Sequence, residues 1–203
     1  VFSSIILSLA TFTKWYPILL FPGFFAYASI KENKLQWKMI IFFLITSLFI
    51  VIPTYFLGGI DAILFPYKFH SVRGMEYVAL PVLINTFLVN GAHIFISQEI
   101  FFLVFFLLQV FPPLFIFLFK INTLERLLNY CIIAISFFIL FSRISSPQWL
   151  LWLLPLLIIT IKDRADILII VLYNIITYLF FPVVFDLFGP SSFQLRIIGI
   201  YSY

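Results

Sequence analysis

The sequence predicts an all-α membrane protein: a multi-pass helical bundle with about 6–7 spanning helices and a re-entrant or interfacial segment around residues 75–96. Three observations predict it. Of the 203 residues, 64% are hydrophobic and 10% are charged, against about 25% charged in soluble domains, so the chain cannot cover its apolar surface in water. The charges are also spaced apart. None falls between Lys38 and Asp61, Glu76 and Glu99, Glu99 and Lys120, Arg126 and Arg143, Arg143 and Lys162, or Asp166 and Asp186, intervals of 16 to 22 residues. A helix needs roughly 17–25 residues to cross the hydrocarbon core. Finally, nothing alternates between apolar and polar as the strands of a membrane barrel do.

In chain order, Val1–Thr13 reads as the end of an apolar helix, broken by Lys14-Trp15-Tyr16-Pro17 because Pro17 lacks a donor and disfavours helix at Tyr16. Ile18–Ile30 continues as a second run. Lys31 to Lys38 is a basic loop. Met39–Leu57 is the cleanest span, and Gly58-Gly59 ends it. Residues 60–74 are rich in polar and turn-forming types and read as a loop. Met75–Ile96 is apolar but interrupted by Pro81, Asn85, Asn90, Gly91 and His93. Ile100–Phe119 reads as a full span kinked at Pro112-Pro113. Leu127–Phe141, Leu150–Ile161 and Ile167–Phe185 follow, separated by the junction 143–149 and the charged loop 162–166. No internal repeat or interdomain linker is visible. Residues 1–203 form one transmembrane region, and the apolar residues at both ends suggest a fragment of a longer chain.

Orientation follows from Lys and Arg. The loops 31–38, 120–126 and 162–164 hold seven of them and are assigned to the cytoplasm. Met39–Leu57 and Leu127–Phe141 then run outward and Ile100–Phe119 runs inward. Residues 75–96 must begin and end outside, so they do not form a simple span. This gathers Lys68, His70, Arg73, Glu76, Glu99, Arg143 and Gln148 on the external face. The formal charge of +4 is spread over loops and does not indicate nucleic-acid binding. Cys131, the single cysteine, excludes an internal disulfide and reads as packing.

Polar residues this scarce are informative. Arg73 can grip a phosphate with two parallel hydrogen bonds, Gly74 lets backbone approach, His70 can supply a hydrogen bond or proton, and Glu76 can orient Arg73 or bind a sugar hydroxyl. The same stretch also reads as a solvated loop with a rim salt bridge. Lys14 beside Trp15 and Tyr16 is either a phosphate ligand or an interfacial anchor. Arg143, Gln148 and Trp149 flank Pro147, with the same two readings. His93 has no second histidine at ligand spacing, so no cofactor is identified and a divalent metal finds no Cys/His cluster. Asp163 and Asp166, the only close acidic pair, fall on the cytoplasmic side.

Two stretches carry a resemblance. Thr13-Lys-Trp-Tyr-Pro-Ile-Leu-Leu-Phe-Pro22 resembles a "K-x-Y-P, apolar, P" element, and Ser146-Pro-Gln-Trp-Leu-Leu-Trp-Leu-Leu-Pro155 resembles "(S/T)-(P)-Q-Y-x-x-W-x-x-P". Both occur in this order in GT-C glycosyltransferases that use polyprenyl-phosphate sugars, including the GPI first-mannose transferases and prokaryotic polyprenol-phosphate mannosyltransferases. Between them, His70-Ser-Val-Arg-Gly-Met-Glu76 is similar to the first half of an "H-x-x-R-G-x-(Q)-x-E-S" loop, with Glu76 where Gln is common. The resemblance implies a multi-pass enzyme of a prokaryotic cell membrane. It would transfer a sugar from a polyprenyl-phosphate donor on the external face. Lys14, Tyr16, His70, Arg73, Glu76, Arg143, Gln148 and Trp149 would bind lipid phosphate or sugar, and the general base would lie upstream of Val1. Membrane lipids are the other partners implied. A transporter or flippase for an anionic lipid-linked substrate uses the same residues but often carries an inverted repeat, which is absent here. A structural subunit of a membrane complex is a third reading.

Overall fold

Prolines and glycines decide where the helices stop. The computed structural model describes residues 1–72, 79–142, 144 and 147–179, and among these the chain is helical with no strand. It divides into two units: Val1–Gly74 with Val110–Ala134, and Met75–Gln109 with Ile135–Tyr203.

The first unit opens with α1 (Phe2–Thr13). At Lys14 the backbone turns extended, and Tyr16–Leu20 forms a 3-10 turn with Pro17 at its start. This is the interruption expected at Lys14–Pro17. α2 (Phe21–Lys31) follows, with Pro22 in its first turn, where a missing N–H costs least. α3 (Trp37–Val72) packs against α1 through small residues. Ser4 and Ser8 are fully buried, and Ser8 Oγ lies 3.0 Å from Ser47 Oγ. Ser47 gives its single proton to the Phe43 carbonyl at 2.9 Å, which leaves Ser8 as the donor between the helices. Serines let the two backbones approach while satisfying each other in an apolar setting.

Beyond Gly59 the expectation is corrected. Gly58-Gly59 bends the chain but does not end the helix. Gly59 has φ 67° and ψ −166°, a conformation open to glycine, and a second helical stretch runs on to Val72 where a loop was expected at 60–74. Within it Lys68 Nζ pairs with Asp61 Oδ1 at 2.5 Å, two turns apart on one exposed face. A charge pair at helical spacing lets a polar stretch remain helical, which a count of turn-forming residues misses.

The unit closes with a 3-10 turn, Ile116–Phe119, and the first half of α6 (Leu124–Phe141). Arg126 Nη1 ties the loop between them by donating to Lys120 O at 3.1 Å and Asn122 Oδ1 at 3.0 Å. Leu127, Tyr130, Cys131 and Ala134, spaced three and four apart, are buried along one stripe.

In the second unit α4 (Leu80–Thr86) starts with Pro81 in its first turn and widens into a π turn, Phe87–Gly91. The two make a helical stretch of about 18 Å at 1.5 Å per residue, too short for a core of about 30 Å. Among the described residues 79–96, no helix is long enough for a straight span. α5 (Gln98–Leu114) ends directly after Pro112-Pro113, so the expected full span to Phe119 is shortened by two missing amide donors. The later half of α6 buries Ile135, Phe138 and Ile139, continuing its stripe. Leu150–Ile161, expected as one run, is a 3-10 turn over Pro147–Trp152 followed by the six-residue α7 (Leu154–Ile159), with Pro155 in its first turn. α8 (Arg164–Tyr178) completes the described chain.

Among the described residues two helices are long and apolar enough to cross a membrane, Trp37–Pro66 and Leu124–Phe141, where about 6–7 were expected of the chain. The most apolar window of Trp37–Pro66 has no residue buried inside the protein. Phe49, Phe56 and Leu57 are 80%, 81% and 89% exposed. Apolar side chains so exposed are what a helix facing lipid would carry.

Candidate functional site

The best-defined of the expected site segments is the turn carrying Lys14 and Tyr16. Lys14 is exposed at the end of α1. Tyr16 is half-buried, and desolvation raises its phenol above the ordinary tyrosine value, so it holds its proton as a hydrogen-bond donor. Pro17 and Leu19 are buried beneath. Pro22, with no N–H, cannot serve the Leu19 carbonyl three residues earlier. The Tyr130 hydroxyl donates to that carbonyl instead, at 2.7 Å, from 111 residues away. Tyr130 is fully buried, and its ring fills the notch left by Gly23, where a Cβ would overlap it. Phe119 packs edge-on against the same ring, centroids 5.4 Å apart. Phe21, just past the turn, meets Phe43 of α3 at 4.6 Å.

His70 lies in the last helical turns of α3, and only its backbone is described. Arg73, Glu76 and Arg143 lie outside the described residues. Lys68, close to this cluster in sequence, pairs with Asp61 on an exposed surface. Gln148 is described in backbone only, within the 3-10 turn.

Trp149 is half-buried and packs within the second unit. Its ring stacks on Trp152 at 5.2 Å and 19°, and on Phe138 of α6 at 5.6 Å and 26°. Side chains three apart eclipse in a 3-10 helix, which is why the two indoles of this turn face each other. Much of the Trp149 face is thereby used for packing. Gln109, which sequence reasoning passed over, is buried, and its Nε2 donates to the Phe141 carbonyl at 2.6 Å, capping the end of α6 just before Arg143. An amide inside a charge-free apolar run was the signal available.

The acidic pair Asp163 and Asp166 forms a reciprocal cap on α8. Asp163 Oδ1 accepts from the amides of Ala165 and Asp166 at 2.8 and 3.1 Å, and Asp166 Oδ2 accepts from Lys162 N at 2.8 Å and Asp163 N at 3.4 Å. Their spacing has a structural cause. Among the described residues no three His, Cys, Asp or Glu side chains gather as a metal site. No family model matches the chain, and no curated protein or solved structure matches it.

Proposed function

We propose that this chain is part of a multi-pass membrane glycosyltransferase of the GT-C type, transferring a sugar, mannose by the closest motif resemblance, from a polyprenyl-phosphate donor. The acceptor is a lipid-linked or glycan hydroxyl on the external face of a prokaryotic cell membrane. The observation that carries the reading is the Lys14–Pro22 turn. Its resemblance to a motif of polyprenyl-phosphate-sugar transferases is matched by a built local structure, with an exposed ammonium and a protonated phenol on a buried, tied base. A point charge and a neutral donor two residues apart are the chemistry a phosphate takes.

In this reading the acceptor hydroxyl attacks the anomeric carbon, the bond to the phosphate oxygen breaks, and the lipid phosphate leaves with the electron pair. Lys14, Tyr16, His70 and Arg73 neutralise the charge that grows on it. The acceptor proton goes to a carboxylate. Three described carboxylates are otherwise engaged, Asp61 with Lys68 and the other two in the α8 cap.

The test is transfer of radiolabelled mannose from a polyprenyl-phosphate donor in membranes bearing the full-length protein. Arg73→Ala and Lys14→Ala are expected to lower transfer at least tenfold without loss of membrane insertion, since each removes a charge-assisted contact worth about 1.5–3 kcal/mol. Near-normal turnover in Arg73→Ala removes that residue from the site. Movement of the donor lipid across a proteoliposome without sugar transfer turns the reading to transport.

A further inference from the structure

We propose that Tyr130 is a positioning residue for the lipid-phosphate site, setting the turn that presents Lys14 and Tyr16 through its hydrogen bond to the Leu19 carbonyl. This rests on the function proposed above. The need for Tyr130 is written in the turn itself. Pro17 and Pro22 stand five residues apart and neither has an N–H. A 3-10 turn bonds each carbonyl to the amide three residues on, so Leu19 faces Pro22 and finds no donor there. Leu19 is only 6% exposed, and a carbonyl left unpaired at such depth is costly. The Tyr130 hydroxyl at 2.7 Å supplies the missing donor.

The ring cannot easily leave. Gly23 gives it a notch that any side chain would fill, and Phe119 backs it at 5.4 Å. The chain is thus tied three residues after Tyr16. It is tied on the other side as well, where α1 is held to α3 by the Ser8–Ser47 contact at 3.0 Å. Lys14 and Tyr16 lie between these two fixed points. A phosphate held by one ammonium and one phenol needs both groups placed within about half an ångström. Releasing the Leu19 tie lets the turn relax toward other conformers and weakens ligand binding through Lys14, although Tyr130 itself touches no ligand.

The experiment measures binding of undecaprenyl monophosphate in phosphatidylcholine nanodiscs holding the chain. The variants are Lys14→Ala, Tyr130→Phe, the two combined, and Tyr130→Phe with Pro22→Ala. Tyr130→Phe keeps the ring and removes only the donor, and it is expected to weaken binding about five- to tenfold. In the Lys14→Ala background the same change is expected to cost less than in the wild type, because part of its effect passes through Lys14. Pro22→Ala restores an amide opposite Leu19 and is expected to bring binding in the Tyr130→Phe protein back toward wild type. A role limited to general stability does not predict the smaller loss in the Lys14→Ala background.

Unchanged binding in Tyr130→Phe, or losses that multiply when it is combined with Lys14→Ala, overturns the inference while the phosphate reading stands on Lys14→Ala alone. Wild-type binding in Lys14→Ala overturns both. If Tyr130→Phe does not fold, the Pro22→Ala combination carries the test. Wild-type affinity there supports the inference, and weak binding in the folded double variant overturns it.

Discussion

A methyl group at Gly23 would occupy the space of the Tyr130 ring. Either the ring moves, breaking its bond to Leu19, or α2 moves away from α6. Gly23→Ala is therefore expected to destabilise the protein by about 1–3 kcal/mol, as overpacked cores do. The check is a thermal melt in detergent, with Gly91→Ala as the control because its Cβ meets only Phe87 at 3.4 Å. Asp163→Ala acts more locally. It removes the acceptor for two amides at the start of α8, and hydrogen exchange should quicken at Ala165 and Asp166 while α6 is unaffected. At this scale the sequence is partly readable. Pro17 breaks α1 where it stands, because the missing donor is a property of the residue itself. The Tyr130–Leu19 bond was not readable, since nothing local to Tyr130 distinguishes it from nine other tyrosines and its partner is 111 residues away. The Trp149–Trp152 stack was hidden for a different reason. An apolar run was read with α-helical geometry, and only the tighter 3-10 turn brings residues three apart face to face.

Among the elements, α3 shows what apolar runs reveal and what they conceal. Its apolar part was legible, because Met39–Leu57 holds no charge. Its continuation to Val72 was not, because Asp61, Pro66 and Lys68 count as loop residues by composition yet sit within helix. The bend between the two parts depends on Gly59, whose φ of 67° with ψ of −166° is strained for any side chain. Gly59→Ala has two responses open: it bears a cost of about 1–3 kcal/mol, or it straightens the helix. Straightening at Gly59 is expected, since the Gly59 Cβ meets nothing in its present position, while Pro53 and Pro66 still interrupt the ladder. Spin labels at Ile45 and Lys68 would then separate toward about 35 Å, the length of 23 residues at 1.5 Å each. An unchanged, shorter distance in Gly59→Ala would mean that the bend is imposed by packing rather than by the glycine. The other runs were overestimated in length for one reason: prolines. Pro112-Pro113 stops α5, and Pro147 and Pro155 divide the run before α8 into a 3-10 turn and a six-residue helix.

For the whole molecule, one segment decides how often a membrane-spanning chain would cross the bilayer. On the charge pattern of the sequence, and with α5 crossing as well as α3 and α6, the loops at Lys34, Asn122 and Asp163 would lie on one side and the stretch around Lys68 on the other. If residues 79–91 crossed the membrane, Lys68 and Ser97 would lie on opposite faces. If they fold back or lie in the interface, both lie on the same face. The helical stretch there is about 18 Å long, a little over half the hydrocarbon thickness, and it is closed at one end by Pro81 and loosened at the other into a π turn. Non-helical backbone such as residues 92–97 is tolerated at membrane depth only where protein or water satisfies it. The shorter path is to return to the starting face. Single cysteines at Lys68 and Ser97, placed in a Cys131→Ala background, are therefore expected to react together with an impermeant maleimide from outside. A cysteine at Lys34 or Asn122 should react only after the membrane is opened. Labelling of Lys68→Cys and Ser97→Cys from opposite sides would make 79–91 a crossing. It would also reverse α5 and α6, and the external placement that the charge pattern predicts for Arg143 and Trp149 would not hold.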